Sequence, residues 1–284
     1  MTTILSIQSS VAYGHVGNSA ATFPLMRLGV EVYPVLTVHF SNHTGYPGWR
    51  GPLLAAGDVA EVIRGIDERG ALNRVDAVLS GYQGGEDVGK VILDAVALVR
   101  SRNPRAIYCC DPVMGDVDRD FYVRPGIPEF MRDAVVPAAQ IITPNQFELE
   151  YLTGRSTSTV QEVLAAADAA RAMGPQTVLV TSVVHDAAQE GTIDMIAVTG
   201  EGAWSVTTPL LPQTFTGAGD LTTATFLAHL LRRDSVAEAI GQTAATVYGV
   251  LKATVDSGES ELQLVAAQDE IAAPTRTFEV TRLR

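Results

Sequence analysis

Basic residues, cysteines and long apolar runs are scarce in this chain, and each shortage removes a class of function. The 20 Lys and Arg stand against 32 Asp and Glu, a formal charge of −12 over 284 residues. Such a field repels nucleic-acid backbones and anionic lipid headgroups, so neither nucleic acid nor a membrane is an expected partner. A nucleotide bound against that field needs backbone amides, a few local cations or a divalent metal. The 2 cysteines, Cys109 and Cys110, are adjacent in an apolar stretch. On a strand they point to opposite faces and are poorly placed to bridge each other, and free thiols in such a setting fit a reducing compartment. Met1 to Gln8 has neither the charged lead nor the apolar length of a secretory signal, and no later run reaches membrane-spanning length. The expected location is the cytoplasm.

Several catalytic signatures are missing as well. There is no Gly-x-x-x-x-Gly-Lys-Ser/Thr loop and no Gly-x-Gly-x-x-Gly after a strand, which removes P-loop and Rossmann nucleotide sites. There is no His pair at zinc-protease spacing and no Gly-x-Ser-x-Gly elbow, which weakens the obvious hydrolase readings.

What the chain does have is a regular alternation. Apolar residues reach 46% while aromatics are 6%, which suits helices packed on a buried sheet. Short β-branched runs at Ile4 to Ile7, Val30 to Val38, Ala77 to Leu79, Ala106 to Cys110, Ile141 to Thr143 and Val178 to Val180 read as strands. Helix-like segments near Ala20 to Leu28, Val59 to Arg69, Val88 to Arg100, Phe130 to Val135 and Val160 to Met173 lie between them, the pattern of parallel βαβ units. Asp58 with Glu61, Thr159 with Glu162 and Ser235 with Glu238 mark helix starts by capping-box spacing. Ile193 to Val198 and Trp204 to Thr207 read as an antiparallel hairpin at a sheet edge, followed by helices over Leu221 to Arg232, Val236 to Thr254 and Leu262 to Ile271. Large α/β sheets commonly reach this length undivided, and no linker or repeat interrupts residues 1–284, so a single domain is expected.

In such sheets ligands collect at the carboxyl ends of the strands, where the polar and glycine-rich loops of this chain fall. Thr214-Phe215-Thr216-Gly217-Ala218-Gly219-Asp220-Leu221 sets two glycines and an acid before a Thr-rich helix. Turning glycines and a helix N-terminus gather N–H groups toward an anion such as a phosphoryl group. Asp220 is then placed to take a proton from a hydroxyl attacking the terminal phosphate of a nucleotide, although it equally fits an ordinary helix cap. Asp111 and Asp116 flank a turn where they can hold a hydrated Mg²⁺ or a monovalent cation, or simply face solvent. Thr143 to Glu148 offers a second oxygen-rich corner, in which Glu148 also has the spacing to cap the next helix from Asn145. Ser9, Thr44 and Tyr82 follow strand ends and can converge on one polar small molecule, with His15 and His43 nearby in sequence.

Together these segments resemble the pyridoxal kinases, the vitamin B6 salvage branch of the ribokinase-like superfamily. The resemblance spans nearly the whole chain. Its carriers are Ser6-Ile7-Gln8-Ser9 with the run from Tyr13 to Asn18, then Phe40 to Tyr46, Leu79 to Tyr82, Cys110 to Asp116, Ile142 to Glu148 and Gly217 to Asp220, in the family's order. It implies a ribokinase-like α/β fold with a mostly parallel central sheet, helices on both faces, antiparallel strands at one edge and no separate lid domain. It implies ATP-dependent phosphorylation of the 5′-hydroxymethyl group of pyridoxal, and of pyridoxamine or pyridoxine, to the 5′-phosphate. Mg²⁺, K⁺ and a homodimer belong to the same expectation.

The resemblance also carries roles to individual residues. Asp220 is the expected base, and Gly217, Ala218 and Gly219 the anion hole. Ser9, Thr44, Gly45, Tyr82, Tyr122 and Asp220 are expected to meet the vitamer. Asp111, Asp116, Thr143, Glu148, Thr181 and Ser182, with Thr208, Pro209, Leu210 and Leu211, are expected along the nucleotide, and Asp111, Thr143 and Glu148 around the metal. Asp116 and Tyr122 match a flap. Thr181 stands where some bacterial members place a lysine, and Asp120-Phe121-Tyr122 stands where some relatives carry a flap cysteine, so no covalent adduct is expected there. Two alternatives remain: a superfamily kinase acting on a hydroxymethylpyrimidine or a sugar, and a poorly catalytic vitamin B6 binding or buffering protein. The Gly-Gly-rich sugar motif is not visible, and Gln8-Ser9 with Tyr82 suits a pyridine better.

Overall fold

Strands buried on both faces organise the molecule. The computed structural model describes residues 1–232 and 235–284. Its strands are β1 (Thr3–Val11), β2 (Glu31–Phe40), β3 (Ala77–Ser80), β4 (Ile107–Cys110), β5 (Gly115–Asp116), β6 (Asp120–Phe121), β7 (Ile141–Ile142), β8 (Thr177–Val183), β9 (Thr192–Val198), β10 (Ala203–Pro209) and β11 (Val280–Arg282). Its helices are α1 (Asn18–Arg27), α2 (Ala56–Glu68), α3 (Glu86–Arg102), α4 (Ile127–Phe130), α5 (Val136–Ala138), α6 (Gln146–Thr153), α7 (Val160–Ala172), α8 (Ala218–Arg232), α9 (Val236–Ser257) and α10 (Gln268–Ala272).

The main sheet runs β11-β10-β9-β8-β7-β4-β3-β1-β2. From β2 to β8 the neighbours are parallel, and β9, β10 and β11 continue antiparallel. This is the expected ribokinase-like α/β architecture. Along the central strands successive side chains enter opposite cores. Leu5, Ile7, Val78, Tyr108, Cys110, Ile142 and Val180 join the layer of α2, α3, α6 and α7. Ile4, Ala77, Leu79, Cys109, Ile141 and Leu179 join that of α1, α8 and α9. Cover on both faces is why these strands read as continuous apolar runs. It also separates the two cysteines, both buried and free.

Local signals succeed where they coincide with the true helix start. Thr159 Oγ1 accepts from Glu162 N–H at 3.2 Å while Glu162 accepts from Thr159 N–H at 2.9 Å, a complete capping box. Ser235 Oγ accepts from Glu238 N–H at 3.3 Å. Asp58 does not cap, because α2 starts earlier with Ala55 as its N-cap and Asp58 sits inside the first turn, where its charge complements the helix dipole. The expected helix over Leu262 to Ile271 shrinks to α10. Leu262 and Leu264 are buried in turns, and Gln263 N–H donates to Thr254 Oγ1 at 3.0 Å, so that stretch serves packing rather than helix periodicity.

Two departures shape the ligand rim. β1 runs on through polar Gln8, Ser9 and Ser10, and its register against β2 shifts between Gln8 and Ser10. Such an irregularity re-aims the side chain it contains, here Ser9. Beyond β4 the chain makes the small hairpin β5–β6, unmarked by any apolar alternation. Because β1, β2, β3, β4 and β7 run parallel, their carboxyl ends share this rim.

Phe226 is fully buried in the core that joins α8 to the sheet. Phe226→Ala is expected to lower the unfolding free energy by about 3–5 kcal/mol in urea titrations. A loss below about 1 kcal/mol would contradict this packing.

Candidate active site

The rim encloses a cavity whose floor is the start of α8. Gly217 has φ +89°, a conformation that favours glycine, and a Cβ there would overlap the backbone carbonyl of His15. This turn delivers the chain into the first helical turn at Ala218, where the amides of a helix lack upstream acceptors. Gly217, Ala218, Gly219 and Asp220 all line the cavity. Removal from bulk water pushes the Asp220 carboxyl up to about 6, against the pull of a hydrogen bond from the Gly17 amide. Asp220 is therefore a stronger base than an ordinary aspartate and still mostly ionised near neutral pH.

Two further carboxyl groups line the same cavity, Asp111 just past β4 and Glu148 in the first turn of α6. Asp111 N–H bonds the Ser80 carbonyl at 2.9 Å, fixing the turn that aims its side chain into the cavity. Burial, then the charges of Glu148 and Asp220, hold its carboxyl well above the usual aspartate range. Thr143 Oγ1 contacts Asp111 Oδ1 at 3.4 Å and Thr223 Oγ1 at 2.7 Å. Glu148 does cap α6, accepting from Asn145 N–H at 3.0 Å, but its other oxygen accepts from Met114 N–H at 2.9 Å. Burial raises its carboxyl too, opposed by the amides of Asn145, Met114 and Gly115. Glu148 thus joins the cap of one helix to the base of the flap.

The flap is the β5–β6 hairpin. Phe121 packs edge-on to Phe147 and Tyr151, each at 5.0 Å between ring centres, which moors the hairpin on α6. Asp120 takes φ +50° where the turn enters β6. Asp116, Arg119 and Tyr122 reach the cavity, with the Arg119 guanidinium 5.2 Å from the centre of the Tyr122 ring. Burial and the neighbouring carboxyl groups raise the Tyr122 hydroxyl far above its ordinary value, so it stays a neutral donor.

Ser9, Thr44, Gly45 and Tyr82 also line the cavity, with apolar Val11, Val38 and Phe40. Tyr82 is held by Thr37 Oγ1 donating to its carbonyl at 2.8 Å. Thr181 N–H bonds the Pro144 carbonyl at 2.9 Å, and Ser182 takes φ +54° where the β8–β9 register shifts. Both face the cavity. Thr208, Pro209, Leu210 and Leu211 do not line it; they close β10 and the turn after it, with Leu210 half exposed and its N–H on the Gly191 carbonyl at 2.8 Å.

The geometry adds residues that motif reasoning passed over. Among the described residues Arg119 is the one Lys or Arg lining the cavity. Its place between Asp116 and Tyr122, both already assigned to a flap, was the available signal. Asn145 lines the cavity as well and ties the flap down through Nδ2 on the Gly115 carbonyl at 2.9 Å. Among the described residues no group of three His, Cys, Asp or Glu closes around a metal position. Asp111, Thr143 and Glu148 instead offer an open, one-sided oxygen set. Such a set fits a hydrated Mg²⁺ completed by ligand oxygens, and among the described residues no lysine lines the cavity to neutralise the raised carboxyl groups.

Comparison with known proteins places the chain among kinases of hydroxymethyl-bearing heterocycles. Residues 74–264 match the family model described as phosphomethylpyrimidine kinase. The chain is 61% identical to pyridoxal kinase PdxY of Rubrobacter xylanophilus, over 99% of this chain and 97% of that one. It is 57% identical to pyridoxal kinase PdxY of Leifsonia xyli, over 99% of both. Pyridoxal kinase from Leishmania donovani in complex with ADP and pyridoxine superimposes with a TM-score of 0.92 at 28% identity, covering 99% of each chain. The chain belongs to the pyridoxal kinase family.

Proposed function

We propose that this kinase transfers the γ-phosphoryl group of ATP to the 5′-hydroxymethyl group of pyridoxal and related B6 vitamers, with Asp220 as base. The observation that carries the reading is the convergence of Asp220, raised to about 6, with the glycine turn of α8 and the vitamer-side residues Ser9, Thr44 and Tyr82 in one cavity. Full-length relatives named pyridoxal kinase and structural neighbours bound to ADP with pyridoxine or pyridoxamine support it.

In the reaction the vitamer oxygen attacks the γ-phosphorus as its proton passes to Asp220, and the bond from that phosphorus to the β–γ bridging oxygen breaks to release ADP. Amides at Gly217, Ala218 and Gly219 face the charge that builds on the phosphoryl oxygens. Arg119 on the flap supplies the positive charge that the Thr181 position lacks. Asp111, Thr143 and Glu148 would hold Mg²⁺, which neutralises phosphate charge when bound. K⁺, a cytoplasmic location, a homodimer and a single domain over 1–284 complete the reading. The continuous sheet from β1 to β11 supports the last, and two free buried thiols fit the location.

Asp220→Asn is expected to cut turnover of pyridoxal by about 10²–10⁴-fold, read by mass spectrometry of the product. Its melting temperature should equal or exceed the wild-type value, because the amide has no charge to desolvate. Near-normal turnover would refute the assignment. With hydroxymethylpyrimidine as the competing acceptor, a higher kcat/KM than for pyridoxal would move the reading to the pyrimidine.

The wild-type kcat/KM should climb with pH through about 6 as Asp220 loses its proton. A limb centred near pH ~4, the ordinary aspartate range, would contradict the buried setting.

Mg²⁺ stabilisation has a definite sign. The carboxyl groups of Asp111 and Glu148 are raised in the fold, so the folded protein without metal loses stability as pH rises and they are forced to ionise. A bound cation relieves that charge and competes with protons. Mg²⁺ should therefore raise the melting temperature more at about pH 8 than at about pH 6, and Asp111→Asn should abolish the difference. Equal shifts at both pH values would count against this metal site.

A further inference from the structure

Glu261 lies outside the cavity lining, in the segment after α9, yet it binds together two loops that meet there. Its side chain is nine-tenths buried and takes three donors. His15 N–H donates to Oε2 at 3.2 Å, and Tyr46 OH donates to Oε1 at 2.8 Å. Gly45 N–H donates to His43 Nδ1 at 3.1 Å, which fixes the ring proton on Nε2. That proton is then donated to Glu261 Oε1 at 3.0 Å. The Tyr46 ring rests 4.6 Å from the His43 ring and 6.1 Å from that of Tyr13. Gly14 has φ +87°, and a Cβ there would overlap the Glu261 carboxyl group.

Each loop leads directly to the chemistry. The loop after β2 carries Thr44 and Gly45 in the cavity wall. The loop after β1 sets the His15 carbonyl against Gly217 and brings the Gly17 amide to Asp220. Leu262, next in sequence to Glu261, lies against Gly217, where a Cβ would stand 3.4 Å from its Cδ1. One short segment therefore sets the register of the vitamer wall against the phosphoryl floor. We infer that Glu261 is a positioning residue that couples vitamer binding to the alignment of Asp220, an inference that rests on the pyridoxal kinase reading above. Misplacement of a reacting group by a fraction of an ångström to an ångström is enough to slow a positioned reaction by up to ~10²-fold.

The test is steady-state kinetics, varying pyridoxal at saturating ATP and ATP at saturating pyridoxal, well below the melting temperature. The proteins are wild type, Glu261→Gln, Glu261→Ala, Tyr46→Phe and the Glu261→Gln/Tyr46→Phe double variant. Gln keeps the shape but turns an N–H toward one of the donors, so the clamp opens on one side. Glu261→Gln is expected to raise the KM for pyridoxal and lower kcat, each roughly tenfold. The KM for ATP should stay within about twofold, since the carboxyl groups on the nucleotide side do not touch Glu261, and the double variant should be no worse than Glu261→Gln alone. A lowered melting temperature with kcat and pyridoxal KM within about twofold of wild type would overturn the inference and leave Glu261 a packing residue. A matching rise in the KM for ATP would overturn it as well. If Glu261→Ala fails to fold, the near-isosteric Gln and Phe variants still decide. An inactive wild type would overturn the pyridoxal reading and the inference together, whereas an active wild type with unaffected variants overturns the inference alone.

Discussion

Carboxyl groups crowded where water is excluded are the constraint on which this site depends. Asp111, Glu148 and Asp220 converge on one cavity, each raised by its burial, and among the described residues one guanidinium, that of Arg119, shares the lining. Like charges so close in a low dielectric cannot all ionise without help. Backbone amides give part of that help: three to Glu148 and one to Asp220. Under the proposed function, the remainder would come from a cation bound with the nucleotide. Burial, opposed by the Gly17 amide, raises the Asp220 carboxyl to about 6.

The fold sustains this crowding by fixing each group from a different element. β4 delivers Asp111, β7 leads to Thr143 and Glu148, and α8 presents Asp220 from the other layer. Glu148 shows how tightly these positions are tied, because one side chain caps α6 and anchors the flap through Met114. The flap in turn carries Arg119. The residues proposed to meet the vitamer arrive from β1 and the loops after β2 and β3, and Glu261 connects the loops after β1 and β2 back to the α8 turn.

Much of this was legible before the structure, and physics explains the boundary. Central strands announce themselves because burial on both faces leaves an unbroken apolar run, and Asp220 stands out because its glycines and helix start are contiguous in sequence. Asp58 misled because capping spacing was counted from the wrong start, while α2 begins at Ala56. Leu262 and Leu264 have helix-compatible spacing but are buried from turns. Arg119 gave only the weak signal of its place between Asp116 and Tyr122, because the turn joining two-residue strands carries no periodicity. Glu261 was silent for a different reason: its partners His43, Tyr46 and His15 lie 218, 215 and 246 residues away, and no local pattern encodes such a contact.

The most direct test of the central claim is carboxyl ¹³C NMR of protein labelled at Asp and Glu, titrated with pH in the absence and presence of Mg²⁺ and a non-hydrolysable ATP analogue. Asp111→Asn, Glu148→Gln and Asp220→Asn would assign the resonances. The account predicts three carboxyl groups titrating above the ordinary range of about 4, Asp220 near 6, with Asp111 and Glu148 falling when Mg²⁺ and nucleotide bind. Ordinary titration of all three, unmoved by the metal, would contradict it.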